Sequence, residues 1–559
     1  MSTDFKKILI KNNLLNVTDQ LSYGVYRGGQ QMTTSIYSAI SKSTSSISYN
    51  IQVPSETTII DRRVMMRNTF TIRVKRTGVV AGQHPIQFSK NACLAPFPAS
   101  QAFNTVAVSI NNSTVNQQYA DVLSVLLKMM KKEDLANYGS TAPVMTDYYG
   151  KYEDSVNGLN NMFSDYTSTD NIVSPNGAFI IDNIVNNGVA GANGDFDVDI
   201  TFSTVEPLFI SPFISGDPKS NNQGMYGIQS LSFQFNLLSN MNRVFRCSLP
   251  STATLVSVDK SEIILNYLQP HSTDLLPSRN VLPYFSCPLY KDIVNTAIPL
   301  NGTIKIQSPS LQLNMIPDKI LIFVRRIQSS KTCNDPDFHL PITGISLQVF
   351  TQSGILSSAS PTDLYRCSKE AGYEGNWLDW SGVASKYRDD ATPLQIPTSG
   401  SILVLEFGKH IPLLPYYSQG SLANASIQYS IDVKNNTGAI LPAQSLELCM
   451  MTINSGLLTI EKGVSQEWLA LLSKQDVLET VQNQEAYSES DMNRLVGGGF
   501  FDKLRSVASK ALPKLLPVAR QLLEKSDNEY AKTGAKILKS VGYGETGGGR
   551  SGGRLSSRV

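Results

Sequence analysis

The sequence predicts an all-β protein: two β-sandwiches in tandem, followed by a short helical, basic tail. Three observations carry that prediction. Apolar and polar residues alternate with period two through most of the chain between about residues 45 and 460. Helical patterns interrupt that alternation only at isolated places. Behind the triple glycine Gly497-Gly498-Gly499 the pattern changes from strands and loops to a basic amphipathic helix.

The strand signals run in order. "SISYNIQV" (46–53) and "TFTIRVKR" (69–76) alternate, as does "FDVDITF" (196–202), which puts Phe196, Val198, Ile200 and Phe202 on one face. "LSFQFNL" (231–237) repeats the pattern with Leu231, Phe233, Phe235 and Leu237. Then follow 253–259, 303–307, "KILIFVRR" (319–326), 345–351, 401–408, 426–433 and "LELCMMTI" (446–453). Each is expected to turn one side to a core and the other to solvent. Three stretches read as helices. Residues 119–135 place Val122, Val125, Leu126 and Met129 at helical spacing, and 361–372 opens with Pro and a Thr/Asp cap. The third, 465–484, begins Ser465-Gln466-Glu467-Trp468. The strand signals divide near residue 245 into halves of about 200 residues, each reading as strands, a long excursion, then strands. The expected organisation is an N-terminal arm (1–45), a first sandwich (46–245), a second (246–462), a helical linker (463–498) and a basic tail (499–559) ending in a Gly/Ser/Arg segment of disorder-prone composition.

Charged residues are only 17% of the 559-residue chain, and the net charge of +2 is unevenly placed. The last 61 residues carry 12 Lys and Arg against 5 Asp and Glu, which leaves 36 against 41 upstream. An acidic body argues against a broad nucleic-acid-binding face, while a basic tail suits phosphate-rich partners. The six cysteines lie at least 34 residues apart without any C-x-x-C, as expected of reduced core residues rather than a zinc site. No apolar run is long enough to predict a membrane-spanning helix, and the N-terminus reads as no signal peptide. The four histidines have no second His at ligand spacing, and no phosphate loop, nucleophile elbow or H-E-x-x-H occurs. Asp335 and Asp337 lack the remaining ligands of a calcium loop. Trp377 and Trp380, three apart, read either as a sugar-stacking platform or, better, as aromatic anchors of a core or interface. The expectation is a structural protein rather than an enzyme, with neither metal nor cofactor.

Several stretches together carry a resemblance: "YRGGQQ" (26–31), "IPDKILIFVRR" (316–326), "LPITGISLQVFTQSGILSSASPTDLYRCS" (340–368) and "TSGSILVLEFGKHIPL" (398–413). Over roughly residues 20–460 the chain resembles the major capsid proteins of Polinton-like viruses, adintoviruses and virophages. The resemblance implies two upright eight-stranded jelly rolls in one chain, three chains per pseudo-hexameric capsomer, and an icosahedral shell. It implies as partners the other copies of the trimer, neighbouring capsomers, and penton or minor capsid proteins. It places the chain in the virion, after synthesis in host cytoplasm or nucleus.

The same group of viruses implies a maturation protease similar to that of adenoviruses, which cuts at Met, Ile or Leu followed by x-Gly-Gly or x-Gly-x-Gly. Leu495-Val496-Gly497-Gly498-Gly499 satisfies both forms, and both put the cut between Gly498 and Gly499. Glycine suits such a site because it adds no Cβ to an extended strand in a narrow cleft. Behind it, Phe500, Phe501, Leu504, Leu512, Leu515, Leu516, Leu522 and Leu523 supply the apolar side of a helix interrupted by Pro513 and Pro517. The segment is similar to the membrane-lytic region of an adenovirus internal protein, so a host membrane is an expected partner. Packaged DNA, contacted non-specifically by the Arg/Gly end, is another. The alternative reading is a β-sandwich carbohydrate-binding or spike/penton-type protein.

Overall fold

The computed structural model describes residues 31–76, 86, 92–144, 180–186, 196–213, 224–247, 251–269, 276, 278–386, 394–414, 417–471 and 473. The first half contributes β1 (Gln31–Ser38), β2 (Ser41–Lys42), β3 (Ser46–Gln52), β4 (Ile59–Ile60), β5 (Met65–Arg76), β6 (Ala92–Leu94), β7 (Phe103–Ile110), β8 (Ser113–Gln117), β9 (Asn183–Asn186), β10 (Phe196–Pro207), β11 (Ser230–Leu237), β12 (Phe245–Cys247) and β13 (Thr252–Gln269). The helices α1 (Pro98–Ala102), α2 (Tyr119–Met129) and α3 (Lys132–Ala136) lie among them. Two sheets face each other, ordered β1-β13-β5-β10-β9 and β2-β3-β11-β7-β8. Removing the short β2 and the edge β9 leaves four strands per sheet in jelly-roll connection.

The second half repeats that order. Its strands are β14 (Asn280–Ser286), β15 (Leu289–Ile293), β16 (Thr303–Gln307), β17 (Leu311–Met315), β18 (Lys319–Arg326), β19 (Ile342–Val349), β20 (Gln352–Ile355), β21 (Val383–Lys386), β22 (Leu394–Pro397), β23 (Leu403–Glu406), β24 (Leu422–Lys434), β25 (Leu446–Glu461) and β26 (Val464–Trp468). α4 (Pro361–Glu370) and α5 (Trp377–Ser381) lie between β20 and β23, as α2 and α3 lie between β8 and β10. One sheet is β14-β25-β18-β23, with β15 also on β25; the other is β16-β24-β19-β20, with β17 also on β24. The two halves therefore share a strand order that their residues do not display as a repeat.

Alternation makes the first core. Phe70, Ile72 and Val74 on β5 sit opposite Phe202, Ile200 and Val198 on β10, and all six are buried. Each such side chain contributes roughly 1.5–3 kcal/mol relative to exposure. The second core departs from the expected pattern. Ile320 to Val324 on β18 are all buried, and so is every residue from Leu446 to Thr452 on β25. The reason is a cover on the sheet's other face: Leu364, Cys367 and Ala371 of the α4 segment, Trp380 of α5, and Val122 and Val125 of α2 all join this core.

The structure changes three expected boundaries. β13 begins at Thr252 yet pairs with β5 and β1, so the first sandwich continues past 245/246 and the chain crosses to the second after Gln269. β1 and β2 lie inside the stretch expected to be an arm and pair with β13 and β3. The first residues of the helix expected over 465–484 form β26 instead, an edge strand on β25, while residues 472 and 474–484 lie outside the described residues. Trp468 closes that pair by donating from Nε1 to Thr459 Oγ1 at 2.9 Å. The α4 cap also differs: Ser360, not Thr362, is the N-cap, in a capping box with Asp363.

Candidate functional site

For a chain without a recognised catalytic motif, the informative region is the contact between its two sandwiches. α2 is the centre of that contact. Tyr119, Leu123 and Leu127, four apart, enter the first core, while Val122 and Val125 enter the second. A helix apolar on both sides must be buried on both, and α2 is buried between the two sandwiches. The sequence reading named only the Val122–Val125 side.

Charged residues continue the seam. Arg325 on β18 donates from Nε to Glu447 Oε1 at 2.7 Å. Its Nη2 reaches Asp121 Oδ1 of α2 at 2.9 Å, and its Nη1 the Asp121 carbonyl at 2.6 Å. Burial works against this guanidinium, but the surrounding acidic groups, Glu447 and Asp121 among them, hold its pKa above the usual value. Beside it, Asp337 receives Lys331 Nζ on one carboxylate oxygen and Arg246 Nη2 on the other at 3.5 Å, while Lys128 Nζ donates to its carbonyl. Burial alone would raise the Asp337 carboxyl; the Lys331, Arg246 and Arg243 charges hold it well below the usual carboxylate range. Burial pushes Lys331 down to about 8. It likewise drives His339 well below its ordinary value, helped by Lys128 and Arg325, so the ring is neutral. Arg243, Arg246 and Lys128 come from the first half and Lys331, Asp337 and Arg325 from the second, so this network joins the sandwiches.

Of the residues singled out from sequence, Asp335 and Asp337 are ion-pair partners: Asp335 Oδ2 takes Arg326 Nη1 at 3.4 Å and Thr332 N at 2.9 Å. Among the described residues no group of three or more His, Cys, Asp or Glu is arranged to hold a metal. Trp380 is 1% exposed, with Nε1 donating to the Ile402 carbonyl at 3.0 Å. Trp377 stacks on it at 5.9 Å and Tyr365 packs edge-on against Trp377, so the pair is an aromatic anchor of the second core rather than an open platform. All six cysteines are free, and five are buried.

Leu495, Val496, Gly497, Gly498 and Gly499, and every residue of the apolar tail from Phe500 to Leu523, lie outside the described residues. The strand leading toward them is β26. It is fastened to both sandwiches, by pairing with β25 and through Ser465, whose N–H donates to Asn112 Oδ1 at 2.8 Å and whose hydroxyl donates to the Ile110 carbonyl.

The comparisons agree with this architecture. The family model for the first domain of the Sputnik virophage major capsid protein matches residues 3–276. The model for the C-terminal domain of major capsid protein V20 matches residues 287–456. The chain belongs to the virophage major capsid proteins. Among relatives in that family, the putative capsid protein V20 of Sputnik virophage is 26% identical over 583 residues, spanning 98% of this chain and 96% of its own length. A chain of the cryo-EM structure of Sputnik virophage superposes with TM-score 0.74 at 23% identity, covering 88% of this chain and 99% of that one. The mavirus major capsid protein does so with TM-score 0.67 at 14% identity, covering 87% and 100%. At these identities the structural likeness speaks for the double jelly-roll fold, and the two family models for the capsid role. The gap between the two matched regions, 277–286, overlaps the crossing between β13 and β14.

Proposed function

We propose that this chain builds an icosahedral shell from homotrimeric capsomers, each presenting six similar jelly rolls in pseudo-hexagonal arrangement. The observation that carries the reading is the repeat of one strand order in two sandwiches joined through a buried, charge-paired seam. Three rigid double units make a near-six-fold tile, which suits a facet of closed symmetry. Penton or minor capsid proteins are the further partners this arrangement needs.

The proposal extends to the tail. A maturation protease cuts between Gly498 and Gly499, and the released basic segment acts on a host membrane through Phe500, Phe501, Leu504, Leu512, Leu515, Leu516, Leu522 and Leu523. Before release, its Arg/Gly end contacts packaged DNA through phosphates. Support comes from the coincidence of the glycine motif with the composition boundary. Intact-mass spectrometry of purified particles tests it: chains ending at Gly498 are expected, and full-length chains alone in infectious particles would refute the cleavage. A synthetic 499–541 peptide is expected to leak anionic liposomes; an inert peptide would refute the membrane role. The alternative carbohydrate-binding or spike reading loses its main support, because Trp380 is enclosed.

A further inference from the structure

The two sandwiches share one strand order, so a contact made by one points to the same position on the other. β1 of the first corresponds to β14 of the second, and β13 to β25, in the sheets β1-β13-β5-β10 and β14-β25-β18-β23. Both strand pairs carry apolar partners facing each other. On β14 and β25, Leu282 stands opposite Leu458; both are buried, and with Tyr284 and Ile460 they belong to the core of the first sandwich. On β1 and β13, Met32 stands opposite Leu268 and Ile36 opposite Ile264. Here Met32 is 66% and Ile36 51% exposed, while Leu268 and Ile264 are half-buried. The two rows continue to Ile59 beside Leu268 and to Met65 beside Ile264. Strands that meet a neighbouring sandwich in the second half therefore meet solvent in the first.

β1 also lacks the devices that guard an open edge. It holds no charge and no proline and pairs with β13 without a bulge, and among the described residues no strand lies on its other side. β14 carries Pro283. Within the chain, β14 is held by the stretch that follows β10. Ser211 Oγ accepts from Phe285 N at 3.1 Å, the Gly224 carbonyl accepts from Asn280 Nδ2 at 3.3 Å, and the Tyr226 hydroxyl donates to the Arg279 carbonyl at 3.2 Å. The counterpart of that stretch follows β23, in residues 407–414 and 417–421, where Pro412 is exposed and Leu413 and Leu414 are half-buried.

We infer that the apolar face of β1 and β13 docks on the second sandwich of a neighbouring copy, against residues 407–414 and 417–421, repeating between chains the contact that β14 makes within one. This contact rests on the homotrimer proposed above and names the surface through which it closes. In a ring of six similar jelly rolls, contacts within a chain alternate with contacts between chains, and the contact between chains is heterologous. The second sandwich uses its edge inside the chain; the first keeps the same edge for the next copy. A contiguous apolar row left exposed marks such an interface.

Sedimentation of the full-length parent and of a variant carrying Met32→Asp and Ile36→Asp tests this. Both side chains are exposed, so the variant is expected to keep the parent's circular dichroism and thermal melting while its mass falls from the trimer's to the monomer's. Leu378→Asp, at an exposed position on α5, is the control expected to stay trimeric. In a second measurement, a photo-reactive phenylalanine analogue in place of Ile36 is expected to cross-link to another chain within 407–421, read by peptide mapping. Trimers in the double variant, or cross-links confined to the same chain, such as to residues 1–30, would overturn the contact while leaving the trimer standing. A parent that sediments only as a monomer would overturn the trimer, and the contact with it.

Discussion

Replacing Asp337 by Asn removes a carboxylate that pairs with both Lys331 and Arg246 while keeping its size. At the 3.5 Å separation of Arg246 from Asp337, Coulomb's law with an effective dielectric of 20 gives about 5 kcal/mol for a unit pair. Removing one partner of a buried ion pair generally costs ~3–5 kcal/mol. Lys331 offsets part of this, because burial has brought its pKa down to about 8 and the variant lets it shed its proton at modest cost. The expected loss at pH 7 is therefore about 3 kcal/mol, or ~6–9 °C in Tm. The sign against pH follows from the same groups. Lys331 is depressed below 10.5, so near pH 9 it is mostly neutral in the parent and the Asp337–Lys331 attraction is already gone. Asn at 337 should then cost about 1 kcal/mol less at pH 9 than at pH 7. Thermal melts of full-length parent and variant at both pH values measure this. A loss under 1 kcal/mol at pH 7, or an equal loss at both, would refute the reasoning.

Three further outcomes follow from other parts of the structure. Gly456→Ala would put a Cβ 2.1 Å from the Trp468 carbonyl oxygen, so β26 must leave β25; hydrogen exchange should show faster amides at 464–468 and a stability loss of about 1–3 kcal/mol. Trp380→Ala removes the largest buried side chain of the second core and its bond to Ile402, with an expected cost of about 3–5 kcal/mol in denaturant titration. Asp318 is raised to about 6 by burial although Ser455 N–H donates to it. Its charge therefore costs stability above that pH, and the cost is relieved as pH falls from about 6 toward 4. Asp318→Asn should gain on the parent by about 1–2 kcal/mol at pH 7 and lose that advantage by pH 4.

The seam also favours one rigid double unit over two linked beads. Each sandwich lends part of itself to the other: Val122 and Val125 from α2 enter the second core, and Leu282, Tyr284, Cys333, Leu458 and Ile460 enter the first. Parts shared in this way make relative motion of the sandwiches expensive, because moving one opens both cores.

The sequence by itself determined the strands that are half exposed, because period two is a local property: Phe196 to Phe202 and Leu231 to Leu237 are buried on the expected face. It also determined α2 and α4 as excursions from the sheets, and the all-β class with its two halves. Tertiary structure alone decided the rest. The strand order that makes each half a jelly roll joins residues far apart in the chain, such as Met66 and Ile263, and no local pattern encodes that choice. β18 and β25 are buried on both faces only because helices from both halves cover them. Ser465 and Glu467 look like a helix start until the open edge of β25 and the polar groups of the β7–β8 turn supply partners for a strand. The charged seam was the least legible part: Arg243, Arg246 and Lys331 carry no local signal, Arg325 stands only within a strand pattern, and Asp337 stood out only as an incomplete calcium-loop position; burial, which no single segment specifies, is what makes them matter.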